Sequence, residues 1–296
     1  MAECVGIVGM GLMGQAFAHH LLKSGFTVQG YDIDAKRVAQ LRERGGTPVD
    51  SAAAAARGAR WVITSLPTGD IVREAVFGAN GVAQGAADGL VVADTSTSRP
   101  EDSEKLGAEL AQRGVRFLDA CVSGTSAMAW KKDLIVIAGG TAEDFEAARP
   151  LFGGFSRAAY RMGPVGSGAL TKLIINLILF GNRLALAEGL VLGMKAGMAG
   201  ESLLRVLQDA ACSSKTMIDK GPKMLNADYS PEGLVRISLK DARLTLEQGT
   251  RLGAPMLVTS LWTQLQQAAY QQGLAEMDST AFIEVLRGMA GLPKRV

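Results

Sequence analysis

The chain has 296 residues, long enough for two domains with a core each. Its 31 Lys plus Arg nearly balance 29 Asp plus Glu, and no basic strip with interleaved aromatics occurs, which argues against a nucleic-acid partner. Cys4, Cys121 and Cys212 are far apart and odd in number, so neither a disulfide scaffold nor a CxxC metal knuckle is available, and the composition suits a reducing cytoplasm.

Residues 4–34 read as strand, glycine turn, helix and a second strand ending in an acid. Val5, Ile7 and Val8 are β-prone, and Gly9, Gly11 and Gly14 form G-x-G-x-x-G ahead of an apolar-periodic helix over 13–22. Gly9 permits the tight turn, Gly11 lets the backbone approach a pyrophosphate, and Gly14 lets the helix press against the sheet. The phosphates would sit on unpaired N–H groups at the helix start. Met10, Leu12 and Met13, between the glycines, join them as candidate cofactor-binding residues, although Met10 and Met13 equally suit core packing. After the strand at 27–31, Asp32 stands at the distance expected of a carboxylate that accepts from a ribose 2′-hydroxyl. That favours NAD over NADP, with Lys36 and Arg37 near enough to offset part of its repulsion of a 2′-phosphate.

Short strands and polar-faced helices then alternate, the pattern of a mostly parallel sheet covered on both faces. Helices are predicted over 36–44, 51–57 (capped by Ser51), 70–76, 100–113 and 142–152, and strands over 61–66, 90–93, 115–122 and 134–138. Leu66 and Pro67 fall at the carboxyl end of one strand and Thr95 and Ser96 at the end of the next, the edge where such sheets bind ligands. The two hydroxyls fit either cofactor contact or capping of the following helix. Gly163, Pro164, Gly166 and Gly168 mark a hinge, and the expected fold is α/β: a Rossmann-like domain over 1–162 and an all-helical domain over 163–296. Helices are predicted over 169–192, 201–211, 215–225, 234–248, 256–272 and 280–289. The first is apolar nearly all round, which predicts burial between domains or subunits. Its run at 173–180 is interrupted by Asn176, no stretch reaches about 18 uninterrupted apolar residues, and no basic leader precedes the first strand, so neither a membrane span nor a signal peptide is expected.

Lys172 and Asn176 lie four apart on one face of the long helix. A lysine there either reaches a cavity, where it can exchange a proton with a hydroxyl, or snorkels to solvent. Lys240, beside Asp241, is either a second site cation or half of a surface ion pair. His19 and His20 read as helix residues without metal-ligand company, and Cys121 lacks an activating histidine.

The chain resembles the β-hydroxyacid dehydrogenase family, the group of 3-hydroxyisobutyrate dehydrogenase, through GIVGMGLMG (6–14), SLP (65–67), DTSTS (94–98), DACVSG (119–124), GALTKLIIN (168–176) and LKDARL (239–244), in that order over the whole chain. The resemblance implies that Lys172 is catalytic with Asn176 as its helper, and that Ser123, Gly124 and Thr125 receive a substrate carboxylate. It also implies that Leu66, Pro67, Thr95 and Ser96 line the cofactor and that Lys240 reaches the nicotinamide half or the substrate. A homodimer or homotetramer is implied as well. This chain departs from the family's usual DAPVSGG turn: Cys121 replaces a proline, Thr125 and Met128 replace glycines, and Lys132 and Asp133 replace Gly-Thr. Ile175 and Lys215 also stand where many relatives differ, so an unusual substrate is expected. The expected activity is NAD-dependent hydride transfer on a small β-hydroxy acid of the 3-hydroxyisobutyrate, threonate or glycerate kind. The alternatives are an NADPH-dependent reductase of glyoxylate, succinic semialdehyde or an imine, and a cofactor-binding regulatory protein without turnover.

Overall fold

Strands with apolar residues on both faces need a layer of helices on each side, and the first part of the chain supplies them. The structure, a computed structural model, describes residues 2–296. In chain order the elements are β1 (Cys4–Val8), α1 (Leu12–Lys23), β2 (Thr27–Tyr31), α2 (Ala35–Glu43), β3 (Thr47–Pro48), α3 (Ala52–Ala56), β4 (Trp61–Thr64), α4 (Gly69–Phe77), α5 (Val82–Gly85), β5 (Val91–Asp94), α6 (Pro100–Ala111), β6 (Arg116–Ser123), α7 (Ser126–Trp130), β7 (Ile135–Gly139), α8 (Ala142–Phe155) and β8 (Ala158–Gly163). The strands form one sheet in the order β3-β2-β1-β4-β5-β6-β7-β8. All neighbours are parallel except β6 and β7, which pair antiparallel from Asp119↔Gly139 to Ser123↔Ile135. Side chains alternate between two cores: Trp61 and Ile63 of β4 join Phe17, Leu21 and Phe152 on one face, whereas Val62 joins Val72, Val76 and Leu110 on the other.

The strand order reverses between β1 and β4, so the loops after β1, β4, β5 and β6 leave the same edge of the sheet. Four short elements were not anticipated. β3 and α5 are only two and four residues long, too short to show a period, and α7 starts where Thr125 Oγ1 accepts from Met128 N–H at 3.3 Å. β8 has an exposed centre at Tyr160 to Met162 and lacks the apolar alternation that marks a half-buried strand. α8 continues through Gly153 and Gly154 because Phe155 is fully buried and Gly154 meets α1, where a Cβ would lie 2.7 Å from Leu21 Cδ2.

Two compact units are present, one ending at Lys172 and one beginning at Leu173. The second is helical: α9 (Ser167–Lys195, beginning in the first unit), α10 (Gly200–Asp209), α11 (Lys215–Asn226), α12 (Val235–Leu252), α13 (Leu257–Ala269) and α14 (Ile283–Met289), with a π turn at Tyr270–Leu274 and a 3-10 turn at Ser279–Phe282. By length and composition alone α9 could cross a bilayer. Its Phe180, Leu184, Leu186, Ala187 and Leu190 instead build the core of the helical unit, and Phe180 stacks on Trp262 with ring centroids 5.1 Å apart.

That unit also encloses charge. Glu284, 2% exposed, accepts from Tyr229 Oη, from Arg287 Nε at 3.2 Å and from Arg295 Nη2 at 2.8 Å. Glu284→Ala should therefore lower unfolding free energy by about 3–5 kcal/mol, because it strands two guanidinium groups without their carboxylate. Urea unfolding followed by circular dichroism measures this, and a loss under about 1 kcal/mol would contradict the account.

Candidate active site

The glycine turn after β1 has three distinct local environments. Gly9 has φ +99, and a Cβ on it would lie 2.3 Å from Ser65 O. A Cβ on Gly14 would lie 2.0 Å from Gly9 O. Gly11 is different: its Cβ would meet nothing closer than Arg37 Nη1 at 4.0 Å. Open space beside a backbone that starts α1 fits a pyrophosphate, and that is the feature a dinucleotide needs here. Met10 is fully buried with Sδ against Gly30, Leu12 is 57% exposed at the helix start, and Met13 packs at the edge of the core.

Asp32 does more than wait for a ribose. Its Oδ2 accepts from Met10 N–H at 2.7 Å and its Oδ1 from Asp34 N–H at 2.8 Å, leaving the side chain 5% exposed. The carboxylate thus ties the glycine turn to the end of β2, and its remaining lone pairs are what a sugar can use. Arg37 Nη1 stands 3.5 Å from Asp32 Oδ2, and Arg37 Nε 3.4 Å from Asp34 Oδ2. A guanidinium therefore sits at both the acid and the open face of Gly11.

At the ends of β4 and β5 the hydroxyls stitch the two loops together. Thr95 Oγ1 donates to Thr64 O at 2.8 Å, and Leu66 N–H donates to Ser96 Oγ at 2.9 Å. Neither residue caps α6, whose N-cap position is Arg99, so the capping alternative is set aside. Cys121 Sγ donates to Ser96 O at 3.2 Å from β6, extending the same network. Pro67 follows Leu66 in the loop before α4.

Ser123 ends β6, and Gly124 takes φ +141, a value that disfavours any side chain. Thr125 then caps α7, which packs against α1: His20 Nε2 meets Ala129 O at 2.9 Å, His19 lies 5.3 Å from Trp130 between ring centroids, and Arg44 stacks over that indole at 4.8 Å. Burial, then the charges of Lys23, His20 and Arg44, hold His19 below the ordinary imidazole range. The two histidines thus anchor the helix that follows the Ser123 turn. Of the residues that depart from the family pattern, Met128 packs against Gly124, Asp133 pairs with Arg157 at 2.8 Å, and Lys132 adopts φ +57 in the turn that ends α7.

Lys172 and Asn176 occupy one face of α9, as their spacing requires, with Lys172 half-buried and Asn176 5% exposed. Within the helical unit Asn176 Nδ2 donates to Asp241 Oδ2 at 3.0 Å, and Lys240 Nζ lies 2.9 Å from Asp241 Oδ1. Asp241, with a 13% exposed side chain, is the link that sequence reasoning missed; the clue was that a buried amide requires an acceptor. The pairing of Lys240 is not a plain surface ion pair, since both side chains are mostly buried.

Comparison with known proteins shows what the whole chain is similar to. Residues 4–163 match the model of the NAD binding domain of 6-phosphogluconate dehydrogenase, and residues 166–286 that described as NAD-binding of NADP-dependent 3-hydroxyisobutyrate dehydrogenase. The chain is 31% identical over 293 residues to a 3-sulfolactaldehyde reductase of Escherichia coli, covering 99% of this chain and 98% of that one. It is 30% identical to a 2-(hydroxymethyl)glutarate dehydrogenase of Eubacterium barkeri, covering 97% and 96%. Among solved structures, a 3-hydroxyisobutyrate dehydrogenase from Salmonella typhimurium superposes with TM-score 0.88 at 27% identity, covering 96% of this chain and 99% of the other.

Proposed function

The chain belongs to the β-hydroxyacid dehydrogenase family of NAD(P)-dependent oxidoreductases, and on that premise we propose that it oxidises a small β-hydroxy acid reversibly to the semialdehyde or keto acid, using NAD. The observation that carries the reading is the open phosphate cradle at Gly11 in the first unit, and α9 separately carries a lysine one turn from a buried amide. Gly9, Gly11, Gly14 and Asp32 hold the dinucleotide, with Leu66, Pro67, Thr95 and Ser96 beside it. When bound, the nicotinamide supplies the hydride acceptor or donor. Ser123, Gly124 and Thr125 receive the substrate carboxylate through backbone N–H groups and hydroxyls. Lys172 Nζ takes the hydroxyl proton in oxidation and returns it in reduction, while Asn176, oriented by Asp241, holds the substrate oxygen and Lys240 adds positive charge.

Two relatives named for a sulfonated and a glutarate-type substrate make a second anionic group on the substrate reasonable. An absorbance screen of NAD and NADP reduction over hydroxy acids, including sulfonated, phosphorylated and dicarboxylic ones, tests substrate and cofactor together. No turnover with any acid would overturn the reading in favour of a regulatory cofactor-binding protein.

One observation favours NADP use. The Arg37 guanidinium beside Asp32 can swing to a 2′-phosphate, because its partners lie at 3.4–3.5 Å and half of its side chain is exposed. In initial-rate assays NAD should be preferred, and Arg37→Ala should widen that preference by about tenfold through lost charge pairing with a phosphate. A wild-type preference for NADPH would sink the Asp32 argument. Exposed Ile174 and Ile178, one turn apart on α9, support a homodimer or homotetramer, and the separated thiols accord with a cytoplasmic setting.

A further inference from the structure

Asp119 lies within β6, where its register partner on β7 is Gly139. It is 1% exposed, and its carboxylate is turned to the start of α9: Oδ1 accepts from Gly166 N–H at 3.0 Å and Oδ2 from Ala169 N–H at 2.7 Å. Two of the N–H groups that a helix start leaves unpaired are thus taken by one ionised acceptor from 47 and 50 residues away. The contact surface is bare backbone. A Cβ on Gly168 would lie 2.2 Å from Asp119 O, and one on Gly139 would lie 2.5 Å from Pro164 O and 2.9 Å from Gly168 N. Glycines at both positions let the first turn of α9 press onto β6 and β7, and the carboxylate then fixes its rotation. Lys172 follows Ala169 by three residues, less than one helical turn.

We propose that Asp119 is the positioning residue for Lys172: its carboxylate, clamping the first turn of α9 against the sheet, sets where the lysine amine stands. This rests on the reading that Lys172 handles the substrate proton. Helix rotation is a sensitive variable, since a misplacement of about 1 Å at a reacting group costs up to about 10²-fold in rate. Burial, against the N–H bonds from Ala169, Gly166 and Asp119 itself that oppose it and with Asp94 adding to it, pushes the Asp119 carboxyl up to about 6. Asp94 is the ionisable group facing it from β5; from β7 and the first turn of α9 the facing residues are Gly139, Gly166, Gly168 and Ala169, none of which titrates. Protonation removes an acceptor and loosens the clamp.

The test is Asp119→Asn, which keeps the shape but presents an amide to one of the two N–H groups. Turnover in the reduction direction should fall by about tenfold while the NADH dissociation constant, read by fluorescence, stays within about twofold. Reduction needs protonated Lys172, so a fall in wild-type kcat below about pH 6 reports Asp119, and the variant should lose that limb. If Lys172→Ala abolishes turnover but Asp119→Asn keeps both kcat and the acid limb, the clamp is wrong and the reaction stands. If no hydroxy acid turns over, reductive methylation decides the clamp separately: by mass spectrometry the rate at Lys172 relative to Lys195 should change by about threefold or more in Asp119→Asn. An unchanged ratio overturns the clamp.

Discussion

Lys172→Ala is expected to cut turnover by at least about 10²-fold while NAD affinity stays within about twofold. The size follows from what is lost. General acid–base catalysis contributes about 10²–10⁴-fold, and alanine leaves no group at that point of α9 to exchange the proton. The separation of effects follows from the fold. The proposed phosphate cradle at Gly11 follows β1, and Asp32, which follows β2, accepts from Met10 N–H and Asp34 N–H. Steady-state rates with the best acid from the screen, beside fluorescence titration with NADH, measure both quantities. Unchanged turnover would end the assigned role of the lysine.

Gly11→Val should weaken dinucleotide binding by about 10²-fold or more and leave the cofactor-free protein's thermal midpoint nearly unchanged. A Cβ at this position would meet only Arg37 Nη1, at 4.0 Å, so the protein itself tolerates the branch far better than the pyrophosphate does. Gly14→Ala is the counterpart. Its methyl would lie 2.0 Å from Gly9 O, so the helix must shift and both midpoint and binding should fall. A differential scan with and without NAD separates the two variants: loss of the NAD-induced shift alone for the first, a lowered baseline for the second. Equal baseline losses would show that Gly11 is a packing residue.

The glycine turn, Asp32 and the alternation of strands and helices were legible because each depends on residues within one local unit. The face shared by Lys172 and Asn176 was legible for the same reason, helical spacing being a local rule. What stayed hidden depends on long-range partners. Asp119 reads as one more residue near a strand end until the chain 47 residues later brings Gly166 onto its carboxylate. Asp241 reads as the neighbour of Lys240 until Asn176 donates to it from 65 residues away. His20 reads as a plain helix residue until α7 folds onto α1. β3, α5 and α7 escaped for a different reason, since two to five residues carry no period.

The shortest of those strands has a use of its own. β3 is the outermost strand beside β2, and Pro48, paired with Gly30, has no N–H to offer. A sheet rim two residues long and missing a donor is a poor template for a foreign strand, so this flank of an otherwise large sheet is guarded against edge-to-edge aggregation.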